Sequence, residues 1–143
     1  MSTQNVRIEQ FTLDAYDEVL ALWRRCEGIG LSDADTRESI GGYLARNPGM
    51  SFVAKAEGRV IGAVLAGHDG RRGFIHHLAV LPEFRGRGLG RKLTDSALDA
   101  LRHAGIRKCH LFVMASNADG TAFWEATGWE RRRDIVVMSR RIP

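Results

Sequence analysis

The sequence predicts an α/β fold in which helices cover both faces of a mixed, mostly antiparallel central sheet. Short apolar runs alternate with glycine turns between residues 51 and 81, which is typical of consecutive antiparallel strands. Apolar residues at 89, 93, 97, 98 and 101 mark one helix face between two strand-like runs, and a strand-helix-strand succession favours a parallel pair. The expected element order is β-α-α-β-β-β-α-β-α-β.

The first half is expected to hold one strand, two helices and a hairpin. A strand alternates through Val6, Ile8 and Phe11, and Asp14 is expected to cap a helix that ends near Gly28 and Gly30. The inward positions of that helix are Val19, Leu20, Leu22 and Trp23. Asp33 or Asp35 is expected to cap a second helix, with Ile40, Tyr43 and Leu44 inward, which Asn47-Pro48-Gly49 closes. Strands over 51–57 and 60–67 then form a hairpin through Gly58-Arg59.

The second half continues the same sheet. Asp69-Gly70 turns the chain into a strand over 73–81, and a helix follows that ends before Gly105. A strand over 109–114 and a short helix from Asn117 through Thr127 come next. Gly128 then leads to a final strand around Ile135–Met138.

Size and composition bound the class of protein. A chain of 143 residues and 15.9 kDa, with 44% hydrophobic and 27% charged residues, is expected to form a single domain over residues 1–143. Cys26 and Cys109 form no CxxC pair or ligand cluster, so we expect reduced thiols, no metal site and a cytoplasmic protein. The start of the sequence has no signal pattern, and the longest uncharged apolar stretch, 60–67, is far shorter than the ~20 residues of a membrane span.

Charge is distributed unevenly along the chain. Residues 1–70 carry 7 Lys and Arg against 10 Asp and Glu, a net −3, whereas residues 71–143 carry 14 against 7, a net +7. A basic half can bind nucleic acid, an acidic membrane surface or a small polyanion, or it can simply be a solvated surface. The aromatic residues are not interleaved with the basic ones, which disfavours a nucleic-acid platform.

The most informative segment joins the strand that ends near Val80 to the helix that begins near Leu89. Three glycines let backbone N–H groups approach an anion, and the new helix directs its positive end to the same place. The loop residues are Arg85, Gly86, Arg87, Gly88, Leu89, Gly90 and Arg91. The spacing is neither a Walker loop nor a dinucleotide fingerprint, so a pyrophosphate site is favoured over nucleotide hydrolysis or hydride transfer. A glycine-rich turn that binds nothing is the alternative.

At these residues the sequence resembles the GNAT superfamily of N-acetyltransferases. Arg85, Gly88 and Gly90 match its R/Q-x-x-G-x-G/A motif, and the preceding Leu-Ala-Val-x-Pro-Glu-Phe-Arg-Gly is typical of its fourth strand and cofactor loop. Downstream, Asn117, Trp124, Gly128 and Trp129 stand where the family usually has Asn, Tyr and Gly-Phe or Gly-Tyr. The residues of these segments are most similar to those of small bacterial RimI-like or YpeA-like members.

The resemblance implies acetyl-CoA as cosubstrate. Backbone groups of Leu78 and Val80 would pair with the pantetheine arm as with an added strand, and the loop from Arg85 to Arg91 would hold the pyrophosphate. Asn117 and Trp124 would complete the cofactor site, although packing in the core is the alternative for Trp124. Where relatives place a Tyr that protonates the departing thiolate, Trp124 cannot act as an acid at neutral pH.

Acetyl transfer to an amine needs an oxyanion donor and a base. By resemblance the donor is the backbone N–H of Val80. His76 and His77 are the candidate bases, and strict alternation would set His76 on the face of Val80 and His77 on the opposite face. A partly exposed strand histidine without a catalytic role is the alternative for each.

The acceptor side is less defined by the sequence. Glu27, Asp33 and Asp35, near the join of the first two helices, could hold a cationic amine or could simply be solvated. The acidic first half favours a cationic acceptor. The leading hypothesis is transfer of an acetyl group from acetyl-CoA to a primary amine of a small molecule, peptide or protein by direct attack in a ternary complex. A non-catalytic acyl-CoA-binding or regulatory module is the alternative; monomer and homodimer both stay open, and no nucleic-acid or membrane partner is expected.

Overall fold

A five-stranded sheet in the order β1-β2-β3-β4-β5 forms the centre of the fold. The structure, a computed structural model, describes residues 5–143. The strands are β1 (Val6–Gln10), β2 (Phe52–Ala56), β3 (Arg59–His68), β4 (Gly73–Val80) and β5 (Cys109–Leu111). The first four strands pair antiparallel, and β4 pairs parallel with β5. The expected mixed, mostly antiparallel sheet is confirmed.

Helices flank both faces of this sheet. In the part of the chain that forms the sheet they are α1 (Tyr16–Arg25), α2 (Arg37–Arg46) and α3 (Leu89–His103); a fourth helix, α4 (Ala118–Ala126), follows β5 in the sequence. A Cβ on Gly62 of β3 would lie 3.0 Å from the Leu93 side chain of α3, whereas one on Gly67 would lie 2.5 Å from the Tyr43 hydroxyl of α2. Because residues an odd number apart on a strand face opposite sides, α3 and α2 cover opposite faces. This explains why β3 is buried along nearly its whole length.

The helix faces follow the predicted apolar spacing, whereas the predicted caps are wrong. The α3 residues Leu89, Leu93, Ala97 and Leu101 are buried, as are Val19, Leu22 and Trp23 of α1. Asp14 lies inside a 3-10 turn, Leu13–Ala15, so α1 begins later than expected. Asp33 and Asp35 likewise lie in a 3-10 turn that Ser32 caps, and Thr36 caps α2 by accepting from the N–H of Ser39. In both places a short turn precedes the helix and moves its first residue past the acidic side chain.

Two strand predictions also need correction. The β2–β3 turn consists of Glu57 and Gly58, both with positive φ, rather than Gly58-Arg59, because Ala56 pairs with Arg59. The strand expected over 109–114 ends at Leu111, and the strand expected around Ile135–Met138 is not formed. A strand is stable only where a neighbour takes its N–H and C=O groups, so alternation alone does not produce one.

The described chain divides into two compact units, one ending at Phe112 and the other spanning Val113–Pro143. The first holds the sheet with α1, α2 and α3, and the second holds α4. A single domain over residues 1–143 stays a prediction. Among the described residues, no helix is both long and apolar enough to cross a membrane.

Candidate active site

The central feature of the site is an open edge at the end of β4. Only Gly73, Phe74 and Ile75 of β4 pair with β5. From His76 to Val80, β4 keeps its partner β3 but has no paired strand on the other side within residues 5–143. The backbone of these last residues can therefore accept an additional extended chain.

A β-bulge decides which backbone groups face that edge. His76 lies opposite Leu65 and Ala79 lies opposite Ala63, so β4 has one residue more than β3 in between. The bulge lies at His77, whose φ of 53° is left-handed and costs a non-glycine residue about 1–2 kcal/mol. Beyond it, the N–H of Leu81 donates to the Ile61 carbonyl at 2.8 Å. Since antiparallel residues alternate in direction, Val80 turns its N–H and C=O away from β3.

The carbonyl of Val80 already has donors, whereas its N–H is turned to the open edge. Arg85 Nε donates to the Val80 oxygen at 2.9 Å, and Cys26 Sγ lies 3.6 Å from the same oxygen. The Arg85 guanidinium thus ties the loop after β4 back to the end of the strand. The motif match alone does not indicate this contact between the arginine and the strand.

The loop between β4 and α3 has the backbone of an anion site. Gly86 and Gly88 have φ of 78° and 79°, and a Cβ on either would meet nothing within 4 Å, so the loop borders open space. Glycine is required there by the backbone conformation and not by crowding. The N–H groups of the first turn of α3 have no helical acceptor, and that turn contains no acidic residue.

Basic side chains surround these N–H groups. Arg85, Arg87 and Arg91 are exposed, and the Arg87 guanidinium lies 5.3 Å from the centre of the Phe84 ring. Leu89 is buried, so the first residue of α3 is anchored on the core directly after the loop. A helix N-terminus with this charge suits a phosphate or pyrophosphate.

The bulge overturns the predicted faces of the two histidines. His76 pairs with Leu65, whereas Val80 pairs with Gly62, so His76 and Val80 lie on opposite faces of the sheet. The extra residue at position 77 breaks the alternation on which the expectation depended. The His76 ring instead packs against the Tyr43 ring of α2, with 6.0 Å between the two ring centres.

The surroundings of His76 keep its imidazole neutral. Burial lowers the pKa of His76 below its usual 6.5, and the neighbouring His77 lowers it further, while Asp35 acts in the opposite direction. Burial also raises the pKa of Tyr43 to about 12, so that hydroxyl keeps its proton at neutral pH. Of these two groups, His76 is the one able to accept a proton.

A half-buried hydrogen-bonded pair, His77 and Asp35, lies beside His76, and sequence reasoning missed it. His77 Nε2 is 2.8 Å from Asp35 Oδ1, and only 7% of the Asp35 side chain is exposed. The other Asp35 oxygen accepts from the Ser32 N–H at 2.9 Å. Asp35 is therefore occupied and does not present a free carboxylate. The two residues are separated by 42 positions in the sequence, so no local pattern signals the pair.

The remaining predicted residues lie in two places. Glu27 and Asp33 are exposed in the segment between α1 and α2. In the unit from Val113, Asn117 caps α4 by accepting from the Gly120 N–H at 2.9 Å, and Trp124 contacts the Trp129 ring at 5.3 Å. A cofactor role for Asn117 and Trp124 stays a prediction.

Known proteins share this arrangement of strands and helices. An acetyltransferase of Photorhabdus laumondii is 33% identical over 138 residues, which cover 96% of each chain. An aminoglycoside N-acetyltransferase solved with a bisubstrate analogue, CoA-S-monomethyl-acetylneamine, has a TM-score of 0.76 at 22% identity, covering 96% of this chain and 99% of that one. The PaiA N-acetyltransferase of Thermoplasma acidophilum, solved with coenzyme A, has a TM-score of 0.77 at 18% identity, covering 91% of each chain.

The structural likenesses, at these identities, concern the fold. The sequence comparison reaches further, because residues 16–129 match the acetyltransferase (GNAT) family, a range that includes α1, the whole of β4, the glycine loop and α4. The RimI-like or YpeA-like subtype stays a prediction. With the open edge of β4, the glycine loop and this match in agreement, the chain belongs to the acetyltransferase (GNAT) family.

Proposed function

We propose that this acyl-CoA-dependent N-acetyltransferase transfers the acetyl group of acetyl-CoA to a primary amine by direct attack in a ternary complex. The observation that carries the proposal is the outward N–H of Val80 at an unpaired strand edge, followed within ten residues by an anion-binding loop. A thioester with a pyrophosphate at the far end of an extended arm has the two features that such a surface recognises.

The cofactor is assigned to the backbone. The pantetheine arm adds as a strand beside Leu78 and Val80, and the pyrophosphate lies at the N–H groups from Gly86 to Gly90. Arg87 and Arg91 add charge near the loop, and Arg85 holds the loop to the end of β4. Affinity should therefore depend on loop conformation as much as on any one side chain.

The chemistry is assigned to the backbone N–H of Val80, which points along the sheet into the open edge, and to the imidazole of His76, which borders the same edge from the face opposite the Val80 side chain. The Val80 N–H, which is turned away from β3, stabilises the oxyanion that develops when an amine attacks the thioester carbonyl. A neutral His76 accepts the proton that the protonated amine must lose before it attacks, and the departing thiolate can take the second proton, which the nitrogen loses as the amide forms. The departing group is a thiolate whose conjugate acid has a pKa of about 8.5, so it can leave even though Trp124 supplies no strong acid.

The acceptor is proposed to be a cationic amine. Glu27 and Asp33 are exposed carboxylates in the segment between α1 and α2, and residues 1–70 carry net negative charge. Such a surface raises the local concentration of a protonated amine. The aminoglycoside enzyme with the same fold is named for an acceptor class rich in amines, which supports this assignment.

Release of free CoA tests the proposal. The protein is mixed with acetyl-CoA and a panel of primary amines, including a polyamine, an aminoglycoside and basic and acidic peptides, and thiol release is followed against a reaction without amine. Amine-dependent release together with a mass increase of one acetyl group on the acceptor is expected. Tight binding of acetyl-CoA with no release on any amine would contradict the proposal and favour a binding module.

A further inference from the structure

The left-handed conformation of His77 has two anchors outside its own strand. The Trp23 indole N–H of α1 donates to the His77 carbonyl at 3.1 Å, and the His77 ring pairs with Asp35 from the α1–α2 segment. The Trp23 and His77 ring centres are 5.0 Å apart. The backbone and the side chain of His77 are thus both held, the first by α1 and the second by the segment between α1 and α2.

Both anchors are themselves fixed. Only 1% of Trp23 is exposed, so packing holds its indole in place. Asp35 is held by the Ser32 N–H at one carboxylate oxygen and by the Tyr16 hydroxyl, which donates to the Asp35 backbone carbonyl at 2.6 Å. Groups that cannot move away can hold a neighbour in a conformation that it would otherwise avoid.

The bulge determines which residue faces the open edge. Leu81 lies opposite Ile61 and donates its backbone N–H to the Ile61 carbonyl of β3. If β4 continued from His76 without the extra residue, Val80 would stand opposite Ile61 and give its N–H to β3 instead. The side chain of Val80 would move to the other face as well. One residue of register therefore decides whether Val80 has an outward N–H.

We propose that Asp35 and Trp23 are positioning residues that hold His77 in its left-handed conformation and thereby select Val80 as the residue whose N–H faces the open edge. The consequence for catalysis rests on the proposed function, because it uses that N–H as the oxyanion donor. The consequence for structure does not depend on it. Neither Asp35 nor His77 needs to touch a substrate in this role.

Glycine at position 77 separates this role from others. His77→Ala removes the ring but keeps a Cβ, so the left-handed conformation loses an anchor and keeps its penalty. His77→Gly also removes the ring but has no such penalty. If the pair only holds the conformation, His77→Gly should retain more activity than His77→Ala, and adding Asp35→Ala to His77→Gly should cost no further activity.

The first measurement needs no activity. Amide hydrogen exchange of the cofactor-free protein, followed by NMR, is expected to show a protected Leu81 and a fast Val80. In His77→Ala and Asp35→Ala the contrast should shrink or reverse, and in His77→Gly it should persist. Unchanged exchange at both amides in His77→Ala and Asp35→Ala would overturn the inference, whatever the enzyme activity.

Kinetics give the second measurement. Because loss of an oxyanion donor costs about 10²–10³ in kcat, His77→Ala and Trp23→Phe are expected to lower kcat at least about 10-fold while the KM for acetyl-CoA changes less. The control is Asp99→Asn, which breaks a His103–Asp99 pair exposed on α3 and should leave both constants unchanged. Equal kcat in His77→Ala, His77→Gly and wild type would refute the positioning role. A wild-type exchange pattern as described, without acetyl transfer to any amine, would instead refute the proposed function alone.

Discussion

Arg85 illustrates how one residue of the site differs from its motif. Its Nε donates to the Val80 carbonyl at 2.9 Å, so the side chain ties the glycine loop to the strand. The sequence motif places Arg85 only in a loop that would hold a pyrophosphate. The planar guanidinium, with donors at fixed angles, can do this where a lysine ammonium cannot.

Replacing Arg85 should separate geometry from charge. Arg85→Ala is expected to lower kcat/KM for acetyl-CoA about fivefold, on the order of 1 kcal/mol for one hydrogen bond. Arg85→Lys keeps the charge and loses the Nε contact, so it should behave like Arg85→Ala at high salt and recover only partly at low salt. Steady-state kinetics at two ionic strengths measure this. Full recovery by Arg85→Lys would show that Arg85 acts through charge alone.

Gly88 should tolerate no acidic side chain. Gly88→Glu is expected to abolish acetyl-CoA binding, because it forces a Cβ into a left-handed position and puts a negative charge beside the proposed pyrophosphate site. Calorimetric titration measures the binding. Gly70→Glu is the matched control, since Gly70 also has a positive φ and open space, but lies in the β3–β4 turn. Equal affinities for Gly88→Glu and wild type, with circular dichroism unchanged, would refute the loop assignment.

The protonation of His76 should determine how kcat/KM falls at acidic pH. Burial lowers its pKa below 6.5, so the neutral, proton-accepting form persists to lower pH than for a free histidine. We expect kcat/KM to fall only below pH 6.5 and the limb to disappear in His76→Phe, with a rate loss of about 10²-fold or more. His110→Phe is the control, because His110 contacts the same Phe74 ring. An unchanged rate and limb in His76→Phe would exclude it as the base.

At the scale of elements, α3 packs closely on β3 at Gly62. A Cβ on Gly62 would lie 3.0 Å from Leu93 Cδ1 and 3.2 Å from the Ala79 carbonyl oxygen. Since Ala79 is the residue before Val80, crowding at Gly62 pushes on the helix and on the functional end of β4 together. The absence of a side chain at position 62 allows the helix N-terminus to approach the strand edge.

Gly62→Ala is therefore expected to destabilise the protein by about 1–3 kcal/mol through overpacking. Gly30→Ala is the control, because a Cβ there meets nothing within 4 Å and Gly30 has no positive φ. Chemical denaturation of both variants measures the free energy of unfolding. Equal unfolding free energies in the two variants would show that α3 can shift without cost.

At the scale of the whole molecule, the charge asymmetry predicts the acceptor. The acidic residues of the first half and the basic loop should favour a cationic amine beside an anionic cofactor. A polyamine or basic peptide is expected to react faster than an acidic peptide amine, with an advantage that shrinks as salt rises. Rates at two ionic strengths measure this. A preference for the acidic acceptor, or a cationic preference that salt leaves unchanged, would refute it.

Local patterns account for most of the elements and for the glycine loop. Apolar residues recur at helical spacing in α1 and α3, glycines mark the turns, and the three loop glycines stand out without any knowledge of neighbours. Each of these signals depends on residues within a few positions of one another. The family resemblance arises from the same local segments, and the match over residues 16–129 confirms it.

Tertiary structure decided what depends on distant residues. The bulge at His77 needs Trp23 and Asp35, which lie 54 and 42 residues away, and it moved His76 to the face opposite Val80. A strand expected around Ile135–Met138 did not form, because an apolar run supplies side chains but not a hydrogen-bonding neighbour. The sequence by itself therefore determined most of the elements, the glycine loop and the family. Register and side-chain partners were decided only in the folded chain, because one extra residue in a strand reverses every face beyond it.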